Sequence, residues 1–346
     1  MNGRERSIKA LTHEPVDRLP RDPWALPGIS MFRQSELDAL YKAYPPDVDG
    51  PGASYNFSKC PSVKGTPNIQ GSYTDGWNCT FQVRQSGIIG EVKEPIFAND
   101  YEGLDSYQAP WEILKDMKER KSVIDRYCND SDKFIKVGTE VRPFERMQFL
   151  RGTEDLYCDL ALDEPAAYVL RDKLHEFFVE EMKFWASTAV DAIAFMDDWG
   201  SQRSLLINPE KWKSFYKPLY KEYCDIAHRA GKFVFFHSDG FIEDIYPELI
   251  EIGVDAVNSQ LFCMDMEKLG REYGGKITFH GEIDRQYLLP FGKEEEVRAG
   301  VRRAFKALCP DGVLTGCFAQ CEWGIHDPAE NVFAVYDEWD RIAKEL

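Results

Sequence analysis

The sequence predicts an α/β fold, a distorted (β/α)8 TIM barrel with an elaborated N-terminal region. Three observations predict it. Short β-rich apolar runs alternate with long amphipathic helices after about residue 130, and at least five such β/α units can be counted. The strand runs are apolar throughout, which is typical of a parallel sheet covered on both faces. Glycine ends several of the helices.

Each predicted strand precedes a predicted helix. The strands are residues 134–140, 191–198, 232–239, 255–260, 276–284 and 312–317. A helix after the second strand begins with Asn208 as N-cap and Pro209 at its first position, and it ends at Gly231.

Residues 1–130 carry many Pro/Gly turn signals, so we expect an irregular N-terminal elaboration, and residues 131–346 hold the regular β/α units. Without a linker, repeat or low-complexity tract, residues 1–346 are interpreted as a single barrel domain. An open doubly wound sheet is the alternative, but no Gly-x-Gly-x-x-Gly or P-loop motif supports nucleotide binding there.

Composition excludes several classes of partner. The chain of 346 residues has a formal net charge of −17, so nucleic acid and anionic membrane surfaces are poor partners. No run has the length of a signal peptide or a membrane-spanning helix, which predicts a cytoplasmic protein. In that compartment the nine cysteines are thiols, either buried small side chains or metal ligands.

Polar side chains follow the predicted strands, at the end of a β/α barrel where active sites lie. Any one of them alone could be a helix N-cap or a loop hydrogen-bonding group, and for Asp198 or Asp284 alone that interpretation is favoured. The whole set needs a use, because burying so many polar groups is costly. The predicted catalytic residues are Glu140, Asp197, Gln202 and Glu282. The predicted substrate contacts are Trp24, Trp77, Asn258 and Asp284.

The segment KFVFFHSDG places an imidazole and a carboxylate after an apolar strand. His237 and Asp239 share one strand face, so both point into the barrel mouth. Such a pair holds a metal or acts as a general base oriented by a carboxylate. With Cys317 or Cys321 as a further ligand, the site would suit zinc. Ordinary burial is the alternative for both thiols, because Cys-x3-Cys is not a zinc-knuckle spacing.

Several segments resemble the uroporphyrinogen decarboxylase superfamily in order along most of the chain, and this resemblance also implies a distorted (β/α)8 barrel. They are RERSIKALTHEPVDRLP, DDWGSQRSLLINPEKWKSFYKPLYKEYCDIAHRAGKFVFFHSDG, LIEIGVDAVNSQ, YGGKITFHGEIDRQYLLPFG and HDPAENVF.

The resemblance is closer to one branch of this superfamily. True decarboxylases carry an Arg-Gln-Ala-Gly-Arg loop that holds substrate carboxylates, and the corresponding PRDPWALPGISMFRQ lacks it. The other branch, the cobalamin-dependent methyltransferases, binds zinc through a His-x-Cys pair and a later cysteine. His237 matches the histidine of that pair and Asp239 replaces its cysteine. Counting back from Glu330 and Asn331 places Cys321 at the position of the later cysteine. Counting forward from GVLTG places Cys317 there instead.

The resemblance implies a zinc-dependent methyltransferase that moves a methyl group from a small O- or N-methyl compound to a separate corrinoid protein. The corrinoid must come on a partner, since the chain has no Asp-x-His-x-x-Gly motif. A homodimer is a further expectation from the family. The alternative is a cofactor-independent decarboxylase acting on a small carboxylated substrate, and a barrel that only binds is the third interpretation.

Overall fold

Short parallel strands and long helices alternate through most of the molecule. The computed structural model describes residues 1–346. The strands are β1 (Trp24–Ala25), β2 (Val48–Asp49), β3 (Gly71–Thr74), β4 (Thr80–Val83), β5 (Glu91–Val92), β6 (Phe134–Gly138), β7 (Ala192–Met196), β8 (Phe233–Ser238), β9 (Ala256–Ser259), β10 (Thr278–His280), β11 (Cys317–Phe318) and β12 (Glu322–Trp323).

The helices cover the outside of the sheet. They are α1 (Gly3–Leu11), α2 (Pro27–Phe32), α3 (Gln34–Ala43), α4 (Trp111–Glu119), α5 (Lys121–Asp130), α6 (Pro143–Arg151), α7 (Thr153–Leu162), α8 (Pro165–Ala186), α9 (Pro209–Phe215), α10 (Lys217–Arg229), α11 (Tyr246–Ile252), α12 (Met266–Tyr273), α13 (Leu288–Phe291), α14 (Glu294–Leu308) and α15 (Ala329–Glu345). None of them has both the length and the apolar character that crossing a membrane requires.

Seven parallel strands form a curved sheet in the order β2-β6-β7-β8-β9-β10-β11. The segment that leads into β1 fills the remaining gap. The N–H of Ala319, after β11, donates to the carbonyl of Pro20 at 2.8 Å, and the N–H of Asp47, before β2, donates to the carbonyl of Arg21 at 2.9 Å. An eighth chain segment therefore closes the ring, which confirms the predicted (β/α)8 barrel.

Apolar side chains form two separate layers. Inside the barrel, Phe134, Phe235 and Phe318 pack together with Ala10 and Leu11 of α1, which closes the N-terminal end. A much larger cluster fills the space between the sheet and the helices. Successive residues of a strand alternate between these layers, and this alternation decides which polar residues reach the barrel mouth.

The N-terminal region is more regular than its turn-rich sequence predicted. Residues 1–130 contain the helices α1–α5 and the strands β1–β5, of which β3, β4 and β5 form an antiparallel sheet. The segment DGWNCTFQV contains β4. Tyr73 and Phe81 on this sheet lie over the C-terminal ends of the barrel strands and line the cavity there.

Candidate active site

A cavity of about 700 Å³ opens at the C-terminal ends of the barrel strands. Its charged lining is mainly acidic, with seven carboxylates and three guanidinium groups, and an aromatic wall of Phe57, Tyr73, Phe81 and Phe149 lies beside them. The charged residues are Asp75, Glu140, Arg142, Glu145, Arg146, Asp198, Asp239, Arg285, Glu322 and Asp327.

Asp198, His237 and Asp239 converge in this cavity, and one potential ligand atom from each lies within 4.8 Å of the others. Strand β8 directs Phe235 into the inner layer and Phe236 into the outer one, so His237 and Asp239 both face the interior. The His237 Nε2 atom lies 3.5 Å from Asp198 Oδ1 and 3.6 Å from Asp239 Oδ1. We call these three residues the mouth group.

A second shell of hydrogen bonds orients the imidazole of the mouth group. The His237 Nδ1 atom lies 2.5 Å from Asn258 Oδ1, and the Asn258 amide nitrogen donates to the carbonyl of His280 at 2.5 Å. Because Asn258 uses its amide N–H on that carbonyl, its oxygen is left to accept from His237 Nδ1. This arrangement leaves His237 Nε2 without a proton in the neutral ring, which is the state that a metal ligand needs.

The charges of the mouth group favour a bound cation. Burial lowers the pKa of His237, but Asp198 and Asp239 more than offset this effect, so the pKa is raised overall. Burial raises the pKa of Asp198. The Asp239 Oδ1 atom is buried without a hydrogen-bond partner. One imidazole nitrogen and two carboxylate oxygens are a donor set that fits zinc or another divalent transition metal.

Arg285 fixes one side of the group. Its guanidinium pairs with Asp239 Oδ2 and with Glu322, and it neutralises part of the carboxylate charge next to the cavity. Asp239 Oδ2 is therefore committed to Arg285, and Oδ1 is the oxygen left for a metal.

The structure corrects the placement of Asp197, which was predicted to be catalytic. Strand β7 alternates so that Met196 and Asp198 face the cavity and Asp197 points outward, fully buried. Its carboxylate accepts from the N–H groups of Phe144 at 2.9 Å and Glu145 at 2.7 Å. Asp197 thus caps the N-terminus of α6, the role that the sequence interpretation had suggested for its neighbour Asp198.

Both candidate cysteine ligands also lie elsewhere. The Cys317 side chain is in the outer layer, with its sulfur 3.9 Å from Cys309 Sγ, and Phe318 takes the inward position. The Cys321 sulfur lies 3.7 Å from the hydroxyl of Tyr336 on α15, and burial raises the pKa of this thiol to about 12. Neither thiol belongs to the mouth group.

The two tryptophans predicted to contact substrate do not line the cavity. Trp24 packs below the mouth group, with ring centroids 5.5 Å from His237 and 5.4 Å from His280. Trp77 is fully buried, and its Nε1 donates to Glu140 at 3.1 Å. Trp77 therefore positions a cavity residue, and the aromatic wall takes the place that the sequence analysis gave to the tryptophans.

The other predicted residues line one of two cavities, with the exception of Asn258. Glu140 lines the main cavity and pairs with Arg146 at 3.3 Å. Gln202, Glu282 and Asp284 line a smaller pocket beside it. Asn258 lies behind His237 and orients its ring.

Sequence reasoning missed Asp198, Arg285 and Glu322 as site residues. The alternation of β7 could have indicated Asp198. Ala192 and Ala194 face inward, and Asp198 is an even number of residues further along, so it lies on the same face. No local signal indicates Arg285, since its two partners lie 46 and 37 residues away along the chain.

Comparisons with solved structures find one protein of the same fold and others that are similar over a smaller part of the chain. A methyltransferase from Methanosarcina mazei is similar over 99% of each chain, with a TM-score of 0.70 and 15% sequence identity, which shows a shared fold. A D-psicose 3-epimerase determined with D-fructose present gives a TM-score of 0.36 at 13% identity, covering 70% of this chain and 85% of its own. A sugar phosphate isomerase/epimerase from Parabacteroides distasonis gives 0.32 at 12% identity, covering 65% and 75%.

No curated protein matches the sequence significantly. The family profile described as Uroporphyrinogen decarboxylase (URO-D) matches residues 77–332, well over half of the chain and all of the mouth group. The resemblance predicted from the sequence is thereby confirmed: the chain belongs to the uroporphyrinogen decarboxylase family.

Proposed function

We propose that the protein is a zinc-dependent methyltransferase, which moves a methyl group from a small O- or N-methyl compound to a separate corrinoid protein. The observation that carries the proposal is the mouth group, whose imidazole and carboxylates converge on one point of a cavity large enough for a small substrate. The fold shared with the Methanosarcina mazei methyltransferase supports it. A cytoplasmic homodimer remains an expectation from the sequence analysis.

The residues proposed to hold the metal are Asp198, His237 and Asp239, with Asp198 in the place that the sequence analysis gave to Cys317 or Cys321. A bound zinc ion supplies Lewis-acid polarisation of the oxygen or nitrogen that carries the methyl group. The role of Asn258 is to hold the His237 tautomer, and the role of Arg285 is to hold Asp239 in place.

Proton delivery to the leaving atom is assigned to a carboxyl group of the cavity whose pKa lies above its ordinary value. Glu145 lines the cavity, and its Oε2 atom is buried without a hydrogen-bond partner. Burial raises the pKa of Glu145. Glu140 is less suited to this task, because Arg146 and Trp77 bind its carboxylate. Its proposed role is to position the substrate.

The aromatic wall of Phe57, Tyr73, Phe81 and Phe149 is proposed to cover the apolar part of the substrate. All four rings are partly exposed to the cavity. They exclude water from the apolar part of the substrate, which strengthens the electrostatic interactions at the methylated atom.

The guanidinium pairing argues against the decarboxylase alternative. A carboxylated substrate needs a free cation, and two of the three arginines of the cavity are already hydrogen-bonded to carboxylates. Arg146 lies 2.6 Å from Asp75, and Arg285 pairs with Asp239 and Glu322. Arg142 lies 3.7 Å from Glu145, beyond hydrogen-bond distance, so a substrate carboxylate would find this one free cation among seven resident carboxyl groups.

Methyl transfer to free cob(I)alamin tests the proposal. Zinc-loaded protein is incubated anaerobically with cob(I)alamin and a panel of methyl ethers and methylamines, and methylcobalamin formation is followed by absorbance. We expect transfer from at least one donor and none with His237→Ala. The absence of transfer from every donor, together with carbon dioxide release from a carboxylated panel, would support the decarboxylase instead.

A further inference from the structure

A side pocket of about 210 Å³ adjoins the main cavity. Gln260, Arg285 and Gln286 line both spaces, so the pocket opens beside the mouth group. Its polar lining consists of Gln202, Gln260, Cys263, Glu282, Asp284, Arg285, Gln286 and Tyr287. At about 30 Å³ for each water-sized group, it has room for roughly seven non-hydrogen atoms.

Glu282 is the unusual member of this lining. Its side chain is only 2% exposed, and both carboxyl oxygens are buried without a hydrogen-bond partner. The nearest cation, Arg285 Nε, lies 3.7 Å from Glu282 Oε2, which is beyond hydrogen-bond distance. A buried carboxyl group without partners is costly, so this arrangement indicates a partner that enters the pocket.

The other groups of the pocket do not serve as that partner. The guanidinium of Arg285 is held by Asp239 and Glu322. Asp284 accepts from the N–H groups of Gln286 at 2.8 Å and Tyr287 at 3.0 Å. The amides of Gln202, Gln260 and Gln286 line the pocket without reaching Glu282. An entering carboxylate would meet no free cation in the pocket and would be repelled by Asp284.

We propose that the side pocket binds the hydrogen-bond-donating end of the methyl donor, an ammonium or hydroxyl group, through Glu282. The methylated atom of the same molecule then lies at the mouth group. This inference rests on the proposed function and adds the substrate class: a small methylated amine or alcohol, and not a methylated acid. Burial raises the pKa of Glu282 to about 8, so an ammonium group that binds at pH 7 releases a proton from this carboxyl.

Three probes with the same methoxy group and different ends test the proposal. They are 2-methoxyethylamine, 2-methoxyethanol and methoxyacetate, titrated calorimetrically into the zinc-loaded full chain at pH 7. A hydrogen bond to a charged group corresponds to an affinity change of about tenfold or more. We therefore expect the amine to bind at least about tenfold more tightly than methoxyacetate, with proton release that depends on the ionisation enthalpy of the buffer.

Glu282→Gln is expected to remove the advantage of the amine and its proton release. Glu181→Gln is the matched control. Glu181 is fully buried, has one carboxyl oxygen without a partner and lines neither cavity. Its substitution should leave the order of the three affinities unchanged. Circular dichroism shows whether each variant is folded. If Glu282→Gln does not fold, the order of the three affinities measured with the wild-type chain still tests the proposal.

Three results would overturn the inference. They are binding of methoxyacetate as tight as that of the amine, no detectable binding of the amine, and an amine affinity that Glu282→Gln leaves unchanged, as expected if the amine bound the metal. The proposed function is tested separately. If methyl transfer occurs but the three probes do not bind in the expected order, only this inference is contradicted. If the probes bind in the expected order but no methyl transfer occurs, the proposed function is contradicted.

Discussion

Two histidines face the interior of the barrel, and they lie in opposite environments. His237 on β8 and His280 on β10 both contact the ring of Trp24, and each has an aspartate near its Nε2 atom. His237 opens into the main cavity, with two carboxylates 3.5 and 3.6 Å away. His280 is fully buried, and its Nε2 lies 2.7 Å from Asp22, which also pairs with Lys136.

Charge balance explains the difference between the two groups. In the interior, Lys136 supplies the positive charge that Asp22 needs. Burial, with Lys136 as the next cause, lowers the pKa of His280 to about 4, so that the ring stays neutral. At the mouth Arg285 neutralises only part of the carboxylate charge, and Asp198 and Asp239 raise the pKa of His237 despite its burial. A histidine beside an aspartate is thus part of a charge-balanced buried group in the barrel interior, and part of the proposed metal site at the mouth.

The largest expected effects come from replacing the two histidines one at a time, which separates metal binding from stability. His237→Ala deletes a proposed metal ligand, so zinc affinity should fall by more than about 100-fold, with a small change in stability. His280→Ala leaves Asp22 partly unsatisfied and opens a cavity, so it should cost about 2–4 kcal/mol of folding free energy and retain zinc. Chelator competition and urea unfolding measure the two quantities, and zinc loss of equal size in both variants would contradict the comparison.

Acid should destabilise the interior group. The folded-state pKa of His280, about 4, lies below its ordinary value of 6.5. Its contribution to stability is therefore complete above pH 6.5 and is lost as the pH falls towards 4, by at most about 3 kcal/mol. Urea unfolding at pH 7 and pH 4.5 should show this loss in the wild type and a smaller one in His280→Gln. An equal loss in both proteins would assign the acid sensitivity to other groups.

Asn258 should increase the zinc affinity of the mouth group without being a metal ligand itself. Asn258→Ala removes the acceptor of the His237 Nδ1 proton, so we expect zinc affinity to fall by about 10- to 100-fold. Asn258→Asp keeps an acceptor oxygen and should restore most of that affinity. Competition with a chromophoric chelator measures both variants. Wild-type affinity in Asn258→Ala would mean that the ring is held by its packing against Trp24 alone.

The cysteines should give the smallest effect. Cys317→Ala and Cys321→Ala each remove a buried sulfur that packs outside the barrel, so each should cost about 1 kcal/mol of stability. Zinc affinity should be unchanged in both. A tenfold loss of zinc affinity in either variant would indicate that this thiol is a metal ligand and would contradict the proposed ligand set.

Strand periodicity predicted the barrel and the shared face of His237 and Asp239, because both depend on local alternation. It did not separate Asp197 from Asp198. Both follow β7, and the choice between capping α6 and facing the cavity depends on the position of that helix.

Cys321 and Arg285 lie in connections after short strands, where periodicity has ended, and Cys317 lies in β11, which has only two residues. Cys317 faces outward because Phe318 faces inward, and Cys321 meets Tyr336 only because α15 packs against that segment. Arg285 gains its role from carboxylates on two other strand ends. Such contacts follow from the tertiary structure and leave no spacing signal in the sequence.

Metal content tests the central claim most directly. The wild type, Asp239→Ala and the Cys317→Ala/Cys321→Ala double variant are purified without an affinity-metal step, supplied with zinc and measured by inductively coupled plasma mass spectrometry. The account predicts about one zinc ion per chain in the wild type and in the double cysteine variant, and almost none in Asp239→Ala. A wild type without metal, or a double cysteine variant that loses it, would contradict the assignment of the mouth group as the metal site.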